Sequence, residues 1–146
     1  MNSRGSYLLL LYLDAGTRIA IGKLGRADFP AGYYLYAGSA LGGLSPRINR
    51  HFRKEKKLHW HIDYLLFHAQ ILEVWGVYSN ERVECHLARA ALDLTGAAVP
   101  AAGFGSSDCR CRTHLVYLPD KPELATFQAI IGERVSLELL SSPDAL

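Results

Sequence analysis

The chain has 146 residues, 49% of them hydrophobic, and a formal net charge of +2 at pH 7, which suits one domain with one real core and is too small a charge to establish nucleic-acid binding by itself. Three cysteines, an odd number, argue against a disulfide framework, and with no secretory leader legible the chain is expected to be cytoplasmic, in a reducing compartment. The apolar run 7–13 is far too short to cross a bilayer, so no membrane partner is expected and the run reads as a buried strand.

In chain order, Gly5–Leu13 is strand-like, Asp14-Ala15-Gly16-Thr17 supplies turn chemistry, and residues 18–24 return with Ile19 and Ile21 on one face, which predicts a hairpin. A tyrosine-rich third strand follows over 33–37, so the first forty residues read as an antiparallel meander. Ser45 as N-cap and Pro46 at the first helical position predict a helix with Arg47 in its first turn. At about 100° per residue, Leu44, Ile48, Phe52 and the stem of Glu55 form one stripe of that helix; Arg47, Arg50, Lys54 and Lys57 form the next. A short helix over 59–67 leads to a strand over 71–78. Asn80 then caps a helix running to Leu94, with Val83, Leu87, Ala90 and Leu94 inward and Gly96 at its end. A small-residue loop over 97–107, a strand over 114–118 and a final helix over about 122–131 complete the pattern. The expected fold class is α+β: one domain over 1–146 with a small central antiparallel three-stranded sheet flanked by helices, an additional C-terminal strand and helix, a core over about 5–118 and a helical extension over about 119–146.

Charge is unevenly spread. Between Leu44 and Lys57 lie Arg47, Arg50, Arg53, Lys54, Lys56 and Lys57 against Glu55 alone, while the tail from Asp120 is net acidic. The run Gly32-Tyr33-Tyr34-Leu35-Tyr36-Ala37-Gly38-Ser39-Ala40, followed eleven residues after Tyr36 by Arg47, supplies a phenol, a glycine and a guanidinium. Phosphodiester chemistry needs such a set: a proton acceptor, close backbone approach to a phosphate, and positive charge where negative charge develops. Gly38 and Ser39 leave room for a phosphate backbone beside Tyr36, and Arg50, Lys54 and Lys57 are expected to contact backbone phosphates. His51, between the basic and apolar stripes, suits a structural hydrogen bond or a phosphate contact equally. His59, His61 and Asp63 would share one face if extended, while a helix would scatter them; hydrogen bonding or substrate contact by His59 and His61 is favoured over metal ligation. Trp60 and Trp75 read as core. Cys85, His86, Cys109, Cys111 and His114 are soft ligands, but Cys-x-Cys with a distant Cys-His pair is not a familiar zinc-finger spacing, and the thiols read better as small buried side chains.

The order and spacing of Gly5-Ser6-Tyr7, Tyr36-Ala37-Gly38, Arg47 and Glu84 in Val83-Glu84-Cys85-His86-Leu87-Ala88 resemble the GIY-YIG endonuclease superfamily. Residues 32–40, His59-Trp60-His61-Ile62-Asp63-Tyr64-Leu65-Leu66 and Gly103-Phe104-Gly105-Ser106-Ser107-Asp108-Cys109 look like its Uri-type branch, so the likeness spans about residues 5–118. It implies a nuclease-like fold and a divalent-metal-dependent endonuclease acting on DNA, whether branched, damaged or single-stranded. Tyr7, with Tyr36, would accept the proton of the attacking water; Arg47 would hold the phosphate; Glu84 would bind Mg2+ or Mn2+; the products would carry a 5′-phosphate and a 3′-hydroxyl. The chain differs from the superfamily where Ser6 and Ala37 replace isoleucines, and in lacking a match for an asparagine near the end of the core, the region of Ser107 and Asp108. A catalytically inactive nucleic-acid-binding module of the same fold is the alternative, and a zinc-stabilised interaction protein is a third.

Overall fold

An unbroken apolar strand is stable where both faces of its sheet are covered. Strand β1 (Gly5–Leu13) has that setting, buried throughout except for a partly exposed Tyr12. The structure, a computed structural model, describes residues 3–106 and 109–141. They form an α+β domain in which β1 is followed by β2 (Thr17–Ala20), β3 (Arg26–Phe29), β4 (Gly32–Ala40), α1 (Leu44–Phe52), α2 (His61–Leu66), β5 (Gln70–Tyr78), α3 (Glu84–Ala91), β6 (Leu115–Leu118), α4 (Leu124–Ile131) and β7 (Glu138–Ser141). The main sheet has the order β6-β4-β1-β5-β7, antiparallel throughout, so the expected three-stranded centre is β4-β1-β5 with a further strand at each side.

Alternation along β1 sorts its side chains between two layers. Tyr7, Leu9, Leu11 and Leu13 pack in one cluster with Ile48 of α1 and with Ile62 and Leu65 of α2. Leu8 and Leu10 pack in the other with Leu87 and Ala91 of α3 and with Phe127 and Ile131 of α4. Leu8, Leu9, Leu10 and Leu11 are fully buried, and each such side chain stabilises the fold by about 1.5–3 kcal/mol.

Four expectations are corrected. The first forty residues are not a meander: β1 takes β4 and β5 as neighbours, and β2 pairs only with β3 in a separate ribbon. The physical reason is matching, because β1, buried on both faces, pairs with the other nine-residue strands, while the short β2 has exposed alternate positions that suit a rim. Helix α1 starts at Leu44 with Gly43, not Ser45, at the N-cap; Leu44 is buried beside Gly5 and is drawn into the first turn. It ends at Phe52, which leaves Lys54 and Lys57 beyond the helix. Helix α3 starts at Glu84 instead of following Asn80, because the Val83 N–H donates to Ser6 Oγ at 3.1 Å; it ends at Ala91, short of the buried Leu94. The C-terminal extension is not only helical, since β7 joins the sheet on β5. Among the described residues no helix is long and apolar enough to cross a membrane.

Candidate functional site

The site lies where β4 outruns its neighbour. Strand β6 pairs with β4 from Tyr33 to Tyr36, and the Ala37 N–H still reaches the His114 carbonyl at 2.9 Å. Past that point, α1 and α3 approach the β4 edge from opposite faces of the sheet. Register fixes the tyrosines: Tyr7 lies opposite Gly38 and Tyr36 opposite Leu9, so the two phenols share a face as diagonal neighbours. A methyl group on Gly38 would sit 2.6 Å from the Tyr7 ring, so glycine at this position allows the ring to cross β4.

Ser39 gathers the charged groups. Arg47 Nη1 donates to its carbonyl at 2.8 Å, while its hydroxyl donates to Glu84 Oε2. With that proton committed, Ser39 Oγ accepts from Ser6 Oγ at 2.9 Å, and Ser6 Oγ accepts from the Val83 N–H. The chain of bonds ties the start of α3, and so Glu84, to the pair of serines on β1 and β4. Ser6, which stands where the resemblance has isoleucine, therefore has a polar role that its motif position did not suggest. Arg47 also lies over the Trp60 ring, 4.4 Å from its centroid, with Arg50 at 4.1 Å; such contacts stabilise by about 0.5–2 kcal/mol each. Trp60 is thus half-buried and clamped by two guanidiniums, not a core residue.

Tyr36, Gly38, Ser39, Arg47, Trp60 and Glu84 line one cleft of about 130 Å³, to which Arg82, Gly105, Cys109 and His114 also contribute. Glu84 is its one acidic side chain among the described residues, and Arg82, largely exposed, pairs with Glu84 Oε1 at 3.1 Å. A larger cavity of about 500 Å³ on the far side of Arg82 is lined by Arg89, Arg134 and Glu81; it contains neither phenol, so the smaller cleft is the candidate site.

Tyr7 does not line the cleft. It is 1% exposed, with its hydroxyl 2.6 Å from Nε2 of His51. Burial pushes the Tyr7 phenol up to about 12 although Arg47 pulls the other way, and burial followed by the Tyr7 charge raises Tyr36 further. Both phenols are therefore held protonated near neutrality, and the Tyr7 hydroxyl shares one buried hydrogen bond with the His51 imidazole. Of the two alternatives for His51 the structure shows the structural hydrogen bond: the residue is 3% exposed, backs Tyr7, has no partner for its Nδ1 among the described residues, and does not reach a phosphate at the surface. Burial, then the Lys56 ammonium, pushes its pKa down to about 3.

That depression has a sign. An unfolded histidine takes a proton near about pH 6.5, while native His51 refuses it down to about 3. Between those values the unfolded chain binds the extra proton, so stability falls as pH falls, by about 1.4 kcal/mol per pH unit for one group. His61 and His114, also held down by burial, add to the wild-type slope. Urea unfolding between about pH 7 and 5 is expected to show His51→Gln flattening the slope by one proton; an unchanged slope contradicts the assignment.

The proposed binding residues divide. Arg50 is committed internally: its Nη1 and Nη2 donate to the two oxygens of Asp63 at 2.9 and 3.0 Å, which removes it as a phosphate contact. Asp63 is fully buried and also accepts the N–H groups of His59 and Trp60 at 2.9 Å. Burial works to raise its pKa, but the Arg50 hydrogen bond and those two N–H groups hold it below the usual carboxylate range. Lys56 donates to the carbonyls of Arg50 and His51. His61 Nδ1 accepts the Gly105 N–H at 2.8 Å, a bond that seats one wall of the cleft. Exposed Lys54, Lys57 and His59 lie outside the cleft lining; the His59 ring rests 5.4 Å from Trp60. Ser107 and Asp108 lie outside the described residues.

A second group of side chains adjoins the cleft. The ligand atoms of Cys85, Cys109, Cys111 and His114 all lie within 4.8 Å of one another, a set that could hold a metal ion. This corrects the reading of the thiols as small buried side chains, since all three are partly exposed and gathered together; His86 is not part of the set. Thiolate and imidazole donors suit zinc and not magnesium. Burial, with the Cys111 and Cys109 thiols beside it, pushes the Cys85 thiol up to about 12.

These features define an α+β domain with a phenol–guanidinium–carboxylate cleft beside a three-cysteine, one-histidine cluster. The chain belongs to the family described as Domain of unknown function DUF123, whose model matches residues 6–136. No curated protein and no solved structure matches it.

Proposed function

We propose that the cleft is the active centre of a GIY-YIG-type, Uri-like endonuclease that hydrolyses phosphodiester bonds in DNA with a divalent ion. The observation that carries this reading is the meeting of Tyr36 from β4, Arg47 from α1 and Glu84 from α3 in one cleft. Arg47 commits one N–H to Ser39 and retains donors for non-bridging phosphate oxygens, to which its planar fork is matched. Glu84 is the residue that would hold Mg2+ or Mn2+. It fits that role as the lone carboxylate of the lining, since hard cations bound by a single carboxylate keep several waters, and its Arg82 partner is exposed enough to swing away. Such an ion supplies charge stabilisation at the scissile phosphate. Tyr36, the phenol at the cleft wall, takes the position facing the attacking water, and Tyr7 with His51 forms the hydrogen-bonded layer behind it. Exposed Lys54, Lys57 and His59 extend positive or polar surface for the DNA backbone.

One observation favours the inactive nucleic-acid-binding module: Tyr7 is sealed from the cleft and bonded to His51. Tyr7→Phe and Tyr36→Phe separate the readings in a paired assay of DNA binding and DNA cleavage. The nuclease reading expects Tyr36→Phe to lose about 100-fold or more in cleavage rate with binding retained. Salt-dependent binding by the wild-type chain, indifferent to either substitution and with no cleavage, supports the module instead.

A further inference from the structure

We propose that Cys85, Cys109, Cys111 and His114 bind one zinc ion, and that this ion staples the irregular segment carrying Gly105 to α3 beside Glu84. The four ligand atoms are gathered close to the spacing of a ligand shell. Tetrahedral zinc, with bonds of about 2.3 Å to sulfur and about 2.0 Å to nitrogen, separates its ligand atoms by about 3.5–3.8 Å. His114 Nε2 lies 3.5 Å from Cys85 Sγ and 3.3 Å from Cys109 Sγ, in a set of four within 4.8 Å. Three sulfurs and one imidazole nitrogen complete four-coordination, which leaves no open position for a reacting water and marks a structural centre.

The fold supplies an independent reason for such a staple. Among the described residues, 92–114 contribute no helix or strand, and so long an irregular stretch in a compact domain needs something other than a backbone ladder to hold it. It is held piecemeal: Ala98 bridges to Tyr117, Gly103 N donates to the Arg112 carbonyl at 2.6 Å, His114 N donates to the Phe104 carbonyl at 2.7 Å, Gly105 N reaches His61, the Ala37 N–H reaches the His114 carbonyl, and Phe104 is buried in the core. The cluster joins three places the cleft depends on. Cys85 follows Glu84 on α3, Cys109 and His114 line the cleft themselves, and His114 precedes β6. On binding, each thiol gives its proton to solvent, so three thiolates and a dication leave a single negative charge. Arg89, one turn along α3 from Cys85, is placed to offset that charge.

The test needs no nucleic acid, so it stands or falls apart from the nuclease reading. Elemental analysis of the full chain purified without chelator is expected to give one zinc per chain. Cobalt loaded in its place should show tetrahedral absorption with a thiolate charge-transfer band. Cys85→Ser and Cys111→Ser should each weaken zinc by more than the about 100-fold that loss of an outer-sphere partner can cost, while His86→Ala keeps full stoichiometry. Absence of both zinc and the cobalt–thiolate band, or equal zinc in the two serine variants, overturns the site. Hydrogen exchange over 101–106 and 109–112 should rise when a chelator removes the metal; unchanged protection overturns the staple.

Discussion

Arg47→Ala is expected to lower the rate of metal-dependent DNA cleavage by about 100-fold or more, comparable to the loss of an oxyanion donor, with little change in the fold. The side chain is half-buried at the cleft, and its contacts there are the Ser39 carbonyl and the face of Trp60. Neither becomes a buried orphan when it goes: the carbonyl lies on the open part of the β4 edge, and Trp60 keeps Arg50 on its ring. Arg47→Lys keeps the charge but loses the fork, and so should recover only part of the rate. Glu84→Gln complements this experiment. The amide oxygen can still accept from Ser39, so the start of α3 stays tied to β4, while the charge that would attract the cation is gone. Single-turnover cleavage measured beside circular dichroism and DNA binding checks both variants; either one cutting at the wild-type rate removes its residue from the active centre.

Asp63→Ala is expected to destabilise the protein by about 3–5 kcal/mol, the cost of breaking a buried ion pair from one side. The carboxylate has no exposed surface, and four donors converge on it: both terminal nitrogens of Arg50 and the N–H groups of His59 and Trp60. Lys56 stands 3.9 Å away as a further cation. Removal strands them together and releases Arg50 from Trp60, so the cleft wall loosens as well. Because its pKa is held below the usual carboxylate range, the stability Asp63 contributes is present above the ordinary carboxylate pKa and lost as pH falls through its own. Urea unfolding at neutral pH measures the loss, and a cost below about 1 kcal/mol, as for an exposed pair, would contradict the burial argument.

Local chemistry was legible where one residue type suffices. The apolar β1, the tyrosines of β4 and the short helix before β5 follow from pattern; the packing need for Gly5 and Gly38 does not, since a methyl on Gly5 would meet the Val77 carbonyl at 2.3 Å and one on Gly38 the Tyr7 ring, where a phosphate was expected. What pattern could not supply was partner choice. The turn after Leu13 looks like a hairpin turn, yet β1 gains more by pairing with strands buried as fully as itself. The basic stripe near α1 misled for a related reason: charge counts do not reveal that Arg50 and Lys56 face inward to Asp63. A signal did exist, because an aspartate three residues after Trp60 at a helix start is placed to accept the N-cap N–H. Ser6 was likewise obscured, its hydroxyl meaning little until β1 and β4 are in register. The cysteines were discounted for lacking a linear spacing; Cys109-x-Cys111 with His114 close behind was the signal, and the fold brings in Cys85 from α3.

The most direct test of the central claim is a panel of fluorescent single-stranded, duplex, flap and junction DNAs incubated with the full chain in magnesium and in manganese. The account predicts metal-dependent cuts in at least one substrate, leaving a 5′-phosphate and a 3′-hydroxyl, with cleavage lost in Glu84→Gln. DNA of every form left intact with either ion, under conditions where the chain is folded and binds it, would contradict the assignment of the cleft as a nuclease centre.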